Sequence, residues 1–333
     1  MKKIAFAGQR LYMKFPDLGF FRERARREGL EVVEAHAEDE AAFAREVADA
    51  SAVSVIDRRI GAGVIARLER CELIQTLSVG YDCIDVEAAT ARGIPVSNTP
   101  AYCTDEVASH AMALLLGVAR KIPSALERTR AGQWDYNFAR PIGAFRGRKL
   151  GILGLGRIGR ALVPKARGFG MRVAAYDPYV PDDLFRLLGV ERALDLDDLL
   201  RASDYLSIHA LLTPETEGMI GEREIGLMKP EAVLVNTARG RIWDEAAVLR
   251  ALREGRIAGV GADVLAQEPP PRDHPLLTEP RALVTPHMAW YSEESFREVM
   301  VQGMEEIVRV LGGKRPLYVV NPAIYFRRAR GKS

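Results

Sequence analysis

The chain has 333 residues, 48% of them hydrophobic, with a mean hydropathy of −0.07, the balance of a globular protein with core enough for two domains of ordinary size. A net charge of +2 supplies no strong field for nucleic acid or a membrane surface. No run approaches the roughly 18 apolar residues of a membrane span. Cys71, Cys83 and Cys103 are odd in number and outside metal-ligand spacing, so they read as reduced thiols of a cytoplasmic protein with no metal site.

The start, MKKIAFAG, is basic and then apolar, but the apolar part is too short for a secretory signal and charge resumes at Arg10. It reads as a first strand, 3–7. Strands follow at 31–35, 52–56, 73–77 and 94–97, alternating with helices at 18–27, 41–50, 61–70 and 86–92. That alternation predicts a parallel sheet wrapped by helices. The first turn, Gly8-Gln9-Arg10, lacks the later glycines of a phosphate-binding loop, so this half is not expected to hold a dinucleotide. Asn98-Thr99-Pro100 marks a break. Thr104 or Asp105 can cap the next helix, 104–120, whose middle, AMALLLGVA, is apolar on nearly every side and predicts burial between domains or subunits. Residues 132–147, with Trp134, Tyr136, Phe138 and Pro141, read as an ordered loop.

From Lys149 a second series predicts strands at 150–153, 172–176, 205–208, 232–235, 259–262 and 282–284. Its first stretch, KLGILGLGRIGRALVPKARGFGMRVAAYD, carries Gly154, Gly156 and Gly159 at GxGxxG spacing, then a helix, a second apolar run and Asp177, 18 residues past the last glycine. This is the order of a dinucleotide site. Gly154 allows the turn, Gly156 lets backbone approach a pyrophosphate at the helix N-terminus, and Gly159 lets helix and strand pack. Asp177 suits ribose hydroxyls and opposes a 2′-phosphate, favouring NAD over NADP. Pro164 in mid-helix predicts a kink. A last helix, 293–311, is long enough to return to the first domain, and the tail beyond YVVNP reads as solvated charge.

Ligands of open α/β sheets bind at the carboxyl ends of strands. Three apolar runs of the second series end in reactive side chains: VLVNTARG in Arg239, GADVLAQEPP in Asp263 and Glu268, ALVTPHMAW in His287. Ketone reduction needs hydride on carbon and a proton on oxygen. Histidine is the side chain best poised to give that proton near neutral pH, a carboxylate fixes its tautomer, and arginine grips a carboxylate with two prongs. His209 also ends a strand and competes with His287, although the ALLTPET after it reads as a loop over the cofactor. Nucleophilic Ser and Cys motifs are absent.

These residues carry a resemblance. From about Leu77 to Val320 the chain resembles the D-2-hydroxyacid dehydrogenases, through SVGYDCIDV, NTPAYCTDEVASHAMALLL, LGILGLGRIG, YDPY, VNTARGRIWDE, GADVLAQEPP, HPLL and TPHMAWYSEE in fixed order; the first 70 residues match only in pattern. The resemblance implies an α/β fold of two doubly wound parallel-sheet domains, with a Rossmann NAD-binding domain (102–287) inserted into a flavodoxin-like substrate domain (1–101 and 288–333). It implies NAD-dependent interconversion of a 2-oxo acid and a D-2-hydroxy acid. Arg239, Glu268 and His287 match the catalytic residues. Val79, Gly80 and Tyr81, with Arg239 and Trp290, match substrate contacts. Gly154, Leu155, Gly156, Arg157, Ile158, Gly159, Asp177, Ala210, Thr213, Thr237, Ala238, Arg239, Asp263 and His287 match cofactor contacts, Asp263 near the nicotinamide amide. The implied partner is a second copy, paired through the NAD domain along helix 104–120, with no direct nucleic acid and no membrane.

Within the family, YDPY and TPHMAWYSEE are most similar to the C-terminal-binding proteins, NAD(H)-binding corepressors, so an NAD(H)-sensing interaction role is the rival reading. An alanine-dehydrogenase-like enzyme is disfavoured by the order ARG, Glu, His. Trp290 predicts a bulky or thioether 2-oxo acid. Glu268 in place of the glutamine usual in formate dehydrogenases argues against formate, and the chain ends before an added regulatory domain, which disfavours the larger phosphoglycerate dehydrogenases. Ser109 departs from the glutamate many members carry there.

Overall fold

The computed structural model describes residues 1–7 and 19–330. The Gly8-Gln9-Arg10 turn and the end of the basic tail lie outside them. The chain forms two compact units, 1–102 with 292–333, and 103–291.

The first unit holds β1 (Lys2–Ala7), β2 (Leu30–Glu34), β3 (Ala52–Val55), β4 (Leu73–Thr76) and β5 (Val96–Ser97) in one sheet of order β2-β1-β3-β4-β5, every pairing parallel. This is the doubly wound order of flavodoxin-like sheets. Every residue of β3 and β4 is buried, including the polar Ser54, Gln75 and Thr76 among the apolar ones. Phe21, Met300, Met304 and Ile307 cover one face, and Phe43, Val64, Ile65 and Ala89 the other.

The last helix, Glu293–Leu311, starts at Ser292, whose hydroxyl accepts from the Ser295 N–H at 2.9 Å. Its buried Glu306 accepts from the Ser97 hydroxyl at 3.1 Å and the Tyr318 N–H at 2.9 Å. The tail then joins the sheet edge through an antiparallel bridge, Ser97 to Val319, and continues into a helix, Ala323–Arg330.

In the second unit, β6 (Lys149–Leu153), β7 (Arg172–Tyr176), β8 (Glu191–Arg192), β9 (Tyr205–Ile208), β10 (Val233–Asn236), β11 (Gly259–Ala262) and β12 (Ala282–Val284) pair in the order β12-β11-β10-β9-β6-β7-β8, again all parallel. Two βαβ halves therefore meet at β6 and β9, the Rossmann switch point. Six of these strands are legible as apolar runs. β8 is not, because it is a two-residue edge strand of Glu and Arg paired on one side only.

The helix after the glycines, Arg157–Gly168, runs on through Pro164, whereas the capping and all-round burial expected of the helix 104–120 need correction. Pro164 faces solvent, so water can satisfy the Arg160 carbonyl that proline leaves without a donor. At the helix Thr104–Ala119, Cys103 occupies the N-cap without a side-chain capping bond, and Asp105 pairs with Lys165 at 2.7 Å instead. That helix is also not buried all round: Ala113 is exposed and Leu116, Val118 and Ala119 are half-exposed. A second helix, Ile122–Arg130, follows it with no buried residue.

Asn321 ties the tail to the sheet. Its side chain accepts from the Val96 N–H at 2.8 Å and donates to the Ile94 carbonyl and the Thr90 hydroxyl, each at 3.0 Å. Leaving a buried donor or acceptor unpaired costs about 1–3 kcal/mol each. Asn321→Ala is therefore expected to lose ~2–5 kcal/mol in urea unfolding; a loss under ~1 kcal/mol would mean that the tail is held by its apolar contacts alone.

Candidate active site

Three neighbouring strands end at one edge of the second unit. β10, β11 and β12 are adjacent in the sheet, so side chains shortly beyond their carboxyl ends are gathered within a few strand spacings of ~4.8 Å. Arg239 follows β10, Asp263 and Glu268 follow β11, and His287 follows β12.

Glu268 and His287 meet directly: Nδ1 of His287 lies 2.6 Å from Oε2 of Glu268, both side chains being partly buried. The other carboxylate oxygen accepts from the Leu265 N–H at 2.8 Å. Burial pushes the Glu268 carboxyl up. The hydrogen bond and charge of His287, the Leu265 N–H and the nearby Arg239 guanidinium outweigh it and hold Glu268 below the usual carboxylate range. An ionised Glu268 can only accept, so Nδ1 must carry hydrogen and Nε2 is left to exchange a proton.

The backbone at His287 is left-handed, with φ 52°. For a residue with a Cβ this costs on the order of 1–2 kcal/mol, and the structure shows what holds it. Asp263, 1% exposed, accepts from the Thr285 hydroxyl at 2.6 Å, the Met288 N–H at 2.9 Å and the Ala289 N–H at 2.8 Å. Its carbonyl accepts from the His287 N–H at 2.9 Å, and Nε2 of His110 lies 2.9 Å from the Thr285 hydroxyl. These bonds keep 288–291 with the second unit. Asp263, expected near the nicotinamide amide, thus commits both carboxylate oxygens to protein donors. Nothing in the sequence distinguishes that bracing role from a ligand contact.

Arg239 stands where β10 gives way to a short 3-10 turn. Asn236 donates to its carbonyl at 2.9 Å, and the guanidinium donates to the Ala238 carbonyl at 2.8 Å. Trp290 packs edge-on against Tyr291, ring centroids 5.4 Å apart. Val79, Gly80 and Tyr81 belong to the first unit, beyond β4. There the Val79 carbonyl accepts from Asn98 at 2.7 Å and the Gly80 carbonyl from the Ser78 hydroxyl at 2.5 Å. The N–H groups of Val79 and Gly80 have no partner among the described residues. His209, the competing imidazole, sits 2.8 Å from the Ser207 hydroxyl, and burial pushes it down to about 4, so it is neutral at physiological pH. Burial likewise pushes the Cys71 thiol up to about 12, leaving it unreactive.

The residues after β6 fit a dinucleotide. Gly154 has φ 94°, and a Cβ there would lie 2.7 Å from the Ala210 nitrogen; a Cβ on Gly159 would lie 2.3 Å from the Gly154 carbonyl oxygen. A Cβ on Gly156 would meet nothing within 4 Å, so open space adjoins the helix N-terminus. The first-turn N–H groups there, including Arg157 and Ile158, have no intrahelical acceptor. Leu155 differs: its N–H donates to Asp177 at 2.9 Å, while Tyr179 donates to the other Asp177 oxygen at 3.0 Å. The carboxylate is thereby held in one orientation. Thr237, just beyond β10, has a buried hydroxyl with no partner among the described residues, an orphan that a bound cofactor would satisfy. Thr213 and Ala238 flank these segments; the Thr213 N–H is tied to the Thr216 hydroxyl at 2.8 Å. Among the described residues no cluster of three or more His, Cys, Asp or Glu is placed to hold a metal, and no helix is long and apolar enough to cross a membrane.

Residues 112–289 match the family model described as the D-isomer specific 2-hydroxyacid dehydrogenase, NAD binding domain. The chain is 40% identical to a glyoxylate reductase of Korarchaeum cryptofilum over 84% of its own length and 85% of that protein. The chain belongs to the D-isomer-specific 2-hydroxyacid dehydrogenase family. NAD is its cofactor. It is also 41% identical to a D-3-phosphoglycerate dehydrogenase of Methanocaldococcus jannaschii over 78% of its length, but spans only 49% of that relative. A D-lactate dehydrogenase of Aquifex aeolicus, solved with NAD and lactic acid, shares the fold with TM-score 0.82 and 28% identity over 93% of this chain and 96% of that one.

The depressed Glu268 carboxyl makes a pH prediction. An acid whose folded pKa lies below its unfolded value stabilises the fold above the unfolded value, 4.5 here, and loses that contribution as pH falls through the folded one. The gap in Tm between the wild type and Glu268→Gln is therefore expected to close as pH drops from about 6 to below the unfolded carboxyl value. A gap independent of pH over that range would show that the Glu268 charge contributes nothing to stability.

Proposed function

We propose that this dehydrogenase interconverts a 2-oxo acid and a D-2-hydroxy acid, with His287 as the acid and base. The observation that carries the proposal is the 2.6 Å Glu268–His287 pair beside Arg239 at three adjacent strand ends. NADH, when bound, supplies the hydride. Ile158 and Arg157 would hold its diphosphate through backbone N–H groups, Asp177 its ribose, and Thr213, Thr237 and Ala238 its remaining length. His287 gives a proton from Nε2 to the substrate oxygen, and ionised Glu268 keeps the other nitrogen protonated and stabilises the imidazolium-bearing state. Arg239 grips the substrate carboxylate as a fork. Trp290 supplies an apolar wall.

The relatives include glyoxylate reductases and phosphoglycerate dehydrogenases, so the substrate is to be found among small, phosphorylated and bulky 2-oxo acids. Oxidation of NADH against such a panel tests the proposal. At least one acid is expected to turn over, and His287→Ala is expected to cut kcat by about 10²–10⁴-fold, the usual worth of a placed general acid. Near-normal turnover in that variant would remove His287 from the chemistry. Tight NADH binding with negligible turnover across the panel would instead favour the NAD(H)-sensing role, which the YDPY and TPHMAWYSEE motifs alone support.

We propose further that two copies pair through the NAD-binding unit. The half-exposed Leu116 and Val118 continue into a helix whose Ile122 and Leu126 are 54% and 46% exposed, and Trp134 beyond it is 93% exposed. Exposed apolar side chains following one another along this stretch favour a partner. Light scattering is expected to return twice the 36.8 kDa chain mass; a monomer would overturn the pairing.

A further inference from the structure

The loop that carries Glu268 is held from two sides by groups with no part in the chemistry described so far. Leu265 and Ala266 present consecutive N–H groups. The first donates to Glu268 at 2.8 Å. The second donates to Oε1 of Glu245 at 2.6 Å. Glu245 opens the helix Glu245–Arg253 and is mostly covered, its side chain 18% exposed. Its other oxygen faces Nε2 of His274 at 3.2 Å, and the His274 side chain is 14% exposed.

His274 has a second notable property. Its Nδ1 is buried without a partner among the described residues. A buried unpaired N–H costs more than an unpaired lone pair on a weak acceptor, so hydrogen belongs on Nε2, donated to Glu245. One carboxylate thus takes an N–H from the Glu268 loop and an N–H from the segment before the helix Pro275–Thr278.

The same peptide also lies close against bare backbone. A Cβ on Gly240 would lie 2.0 Å from the Leu265 carbonyl carbon and 2.3 Å from the Ala266 nitrogen. Gly240 directly follows Arg239. The 265–266 peptide thus touches both the turn after Arg239 and the Glu245 carboxylate.

We propose that Glu245 and His274 are positioning residues that fix Glu268, and through it His287, in the geometry for proton transfer; this rests on the site reading given above. Neither residue contacts the reacting groups. A general acid must be held within a fraction of an ångström, and misplacement by about 1 Å can cost 10²-fold.

The test compares Glu245→Ala, Glu245→Gln, His274→Phe and His287→Ala with the wild type, using the best oxo acid. Glu245→Ala is expected to lose about tenfold or more in kcat, with KM and the NADH Kd within about twofold, because only the alignment of the acid is disturbed. Glu245→Gln keeps an acceptor for Ala266 and is expected to recover most of the loss. His274→Phe keeps the volume, removes the donor, and should move kcat in the same direction by less. Hydrogen exchange of the cofactor-free protein gives a readout apart from turnover: amides of 264–268 should exchange faster in Glu245→Ala and not in Glu245→Gln. Wild-type kcat in Glu245→Ala while His287→Ala is inactive would overturn the positioning role alone. A fall of kcat, NADH affinity and Tm together, without rescue by glutamine, would overturn it as well, as a general loss of packing. Full turnover in His287→Ala would fell the underlying site reading instead.

Discussion

Much of the second unit's chemistry hangs on one buried carboxylate. Asp263 sits at the end of β11 at 1% exposure and accepts from a hydroxyl and two backbone N–H groups. An acid so buried would be costly without donors; with three it becomes a fixed anchor. What it anchors is the turn after β12, where His287 adopts a left-handed backbone conformation that a residue with a Cβ rarely takes. Strain of this kind persists only where the surroundings over-determine it. Here they do: Thr285, Met288 and Ala289 all bind the same side chain, and His287 itself donates to the Asp263 carbonyl. The imidazole is aimed by backbone geometry before Glu268 touches it.

The parallel sheet supplies the rest of the arrangement. Three crossovers return the chain in the same direction, so β10, β11 and β12 all deliver their following loops to one edge. Residues far apart in sequence, Arg239, Glu268 and His287, become neighbours for that topological reason. The fine spacing comes from direct backbone packing, as where the Leu265–Ala266 peptide lies on Gly240. Coarse placement is thus a property of the fold, and fine placement one of individual glycines and buried acids.

That division explains what could be read without coordinates. The strands of both sheets announce themselves because β3, β4, β9, β10 and β11 are buried at every residue and so are mostly apolar, with only an occasional buried Ser, Gln, Thr or Asn. Each reactive side chain lies within a few residues of such a run, which made Arg239, Glu268 and His287 visible as candidates. β8 escaped because a charged two-residue edge strand has no apolar signature. The bracing by Asp263, Glu245 and His274 escaped for another reason. Acids and imidazoles in loops look alike in sequence whether they face a ligand, a backbone N–H or water, and only the fold decides which. The Leu155 N–H is the same kind of case: GxGxxG spacing offers it to a diphosphate, while the structure gives it to Asp177.

The two histidines that end strands show how environment assigns chemistry to identical side chains. His209 has a neutral hydroxyl for a partner and no nearby carboxylate in its environment, and burial pushes its basicity down to about 4. It can accept or donate a hydrogen bond, but it has no charged form to use near neutral pH. His287 is partly open and shares a short hydrogen bond with an acid that the surrounding donors keep ionised. That acid stabilises positive charge as it forms on the ring, which is what a proton donor to a substrate oxygen requires. Had Glu268 been neutralised by its burial, Nδ1 could have become an acceptor and the ring would have lost its defined tautomer. The donors that prevent this, the Leu265 N–H and the Arg239 guanidinium, come from the loops after β11 and β10. The proposed acid–base pair therefore depends on the same adjacency of strand ends that gathers the site.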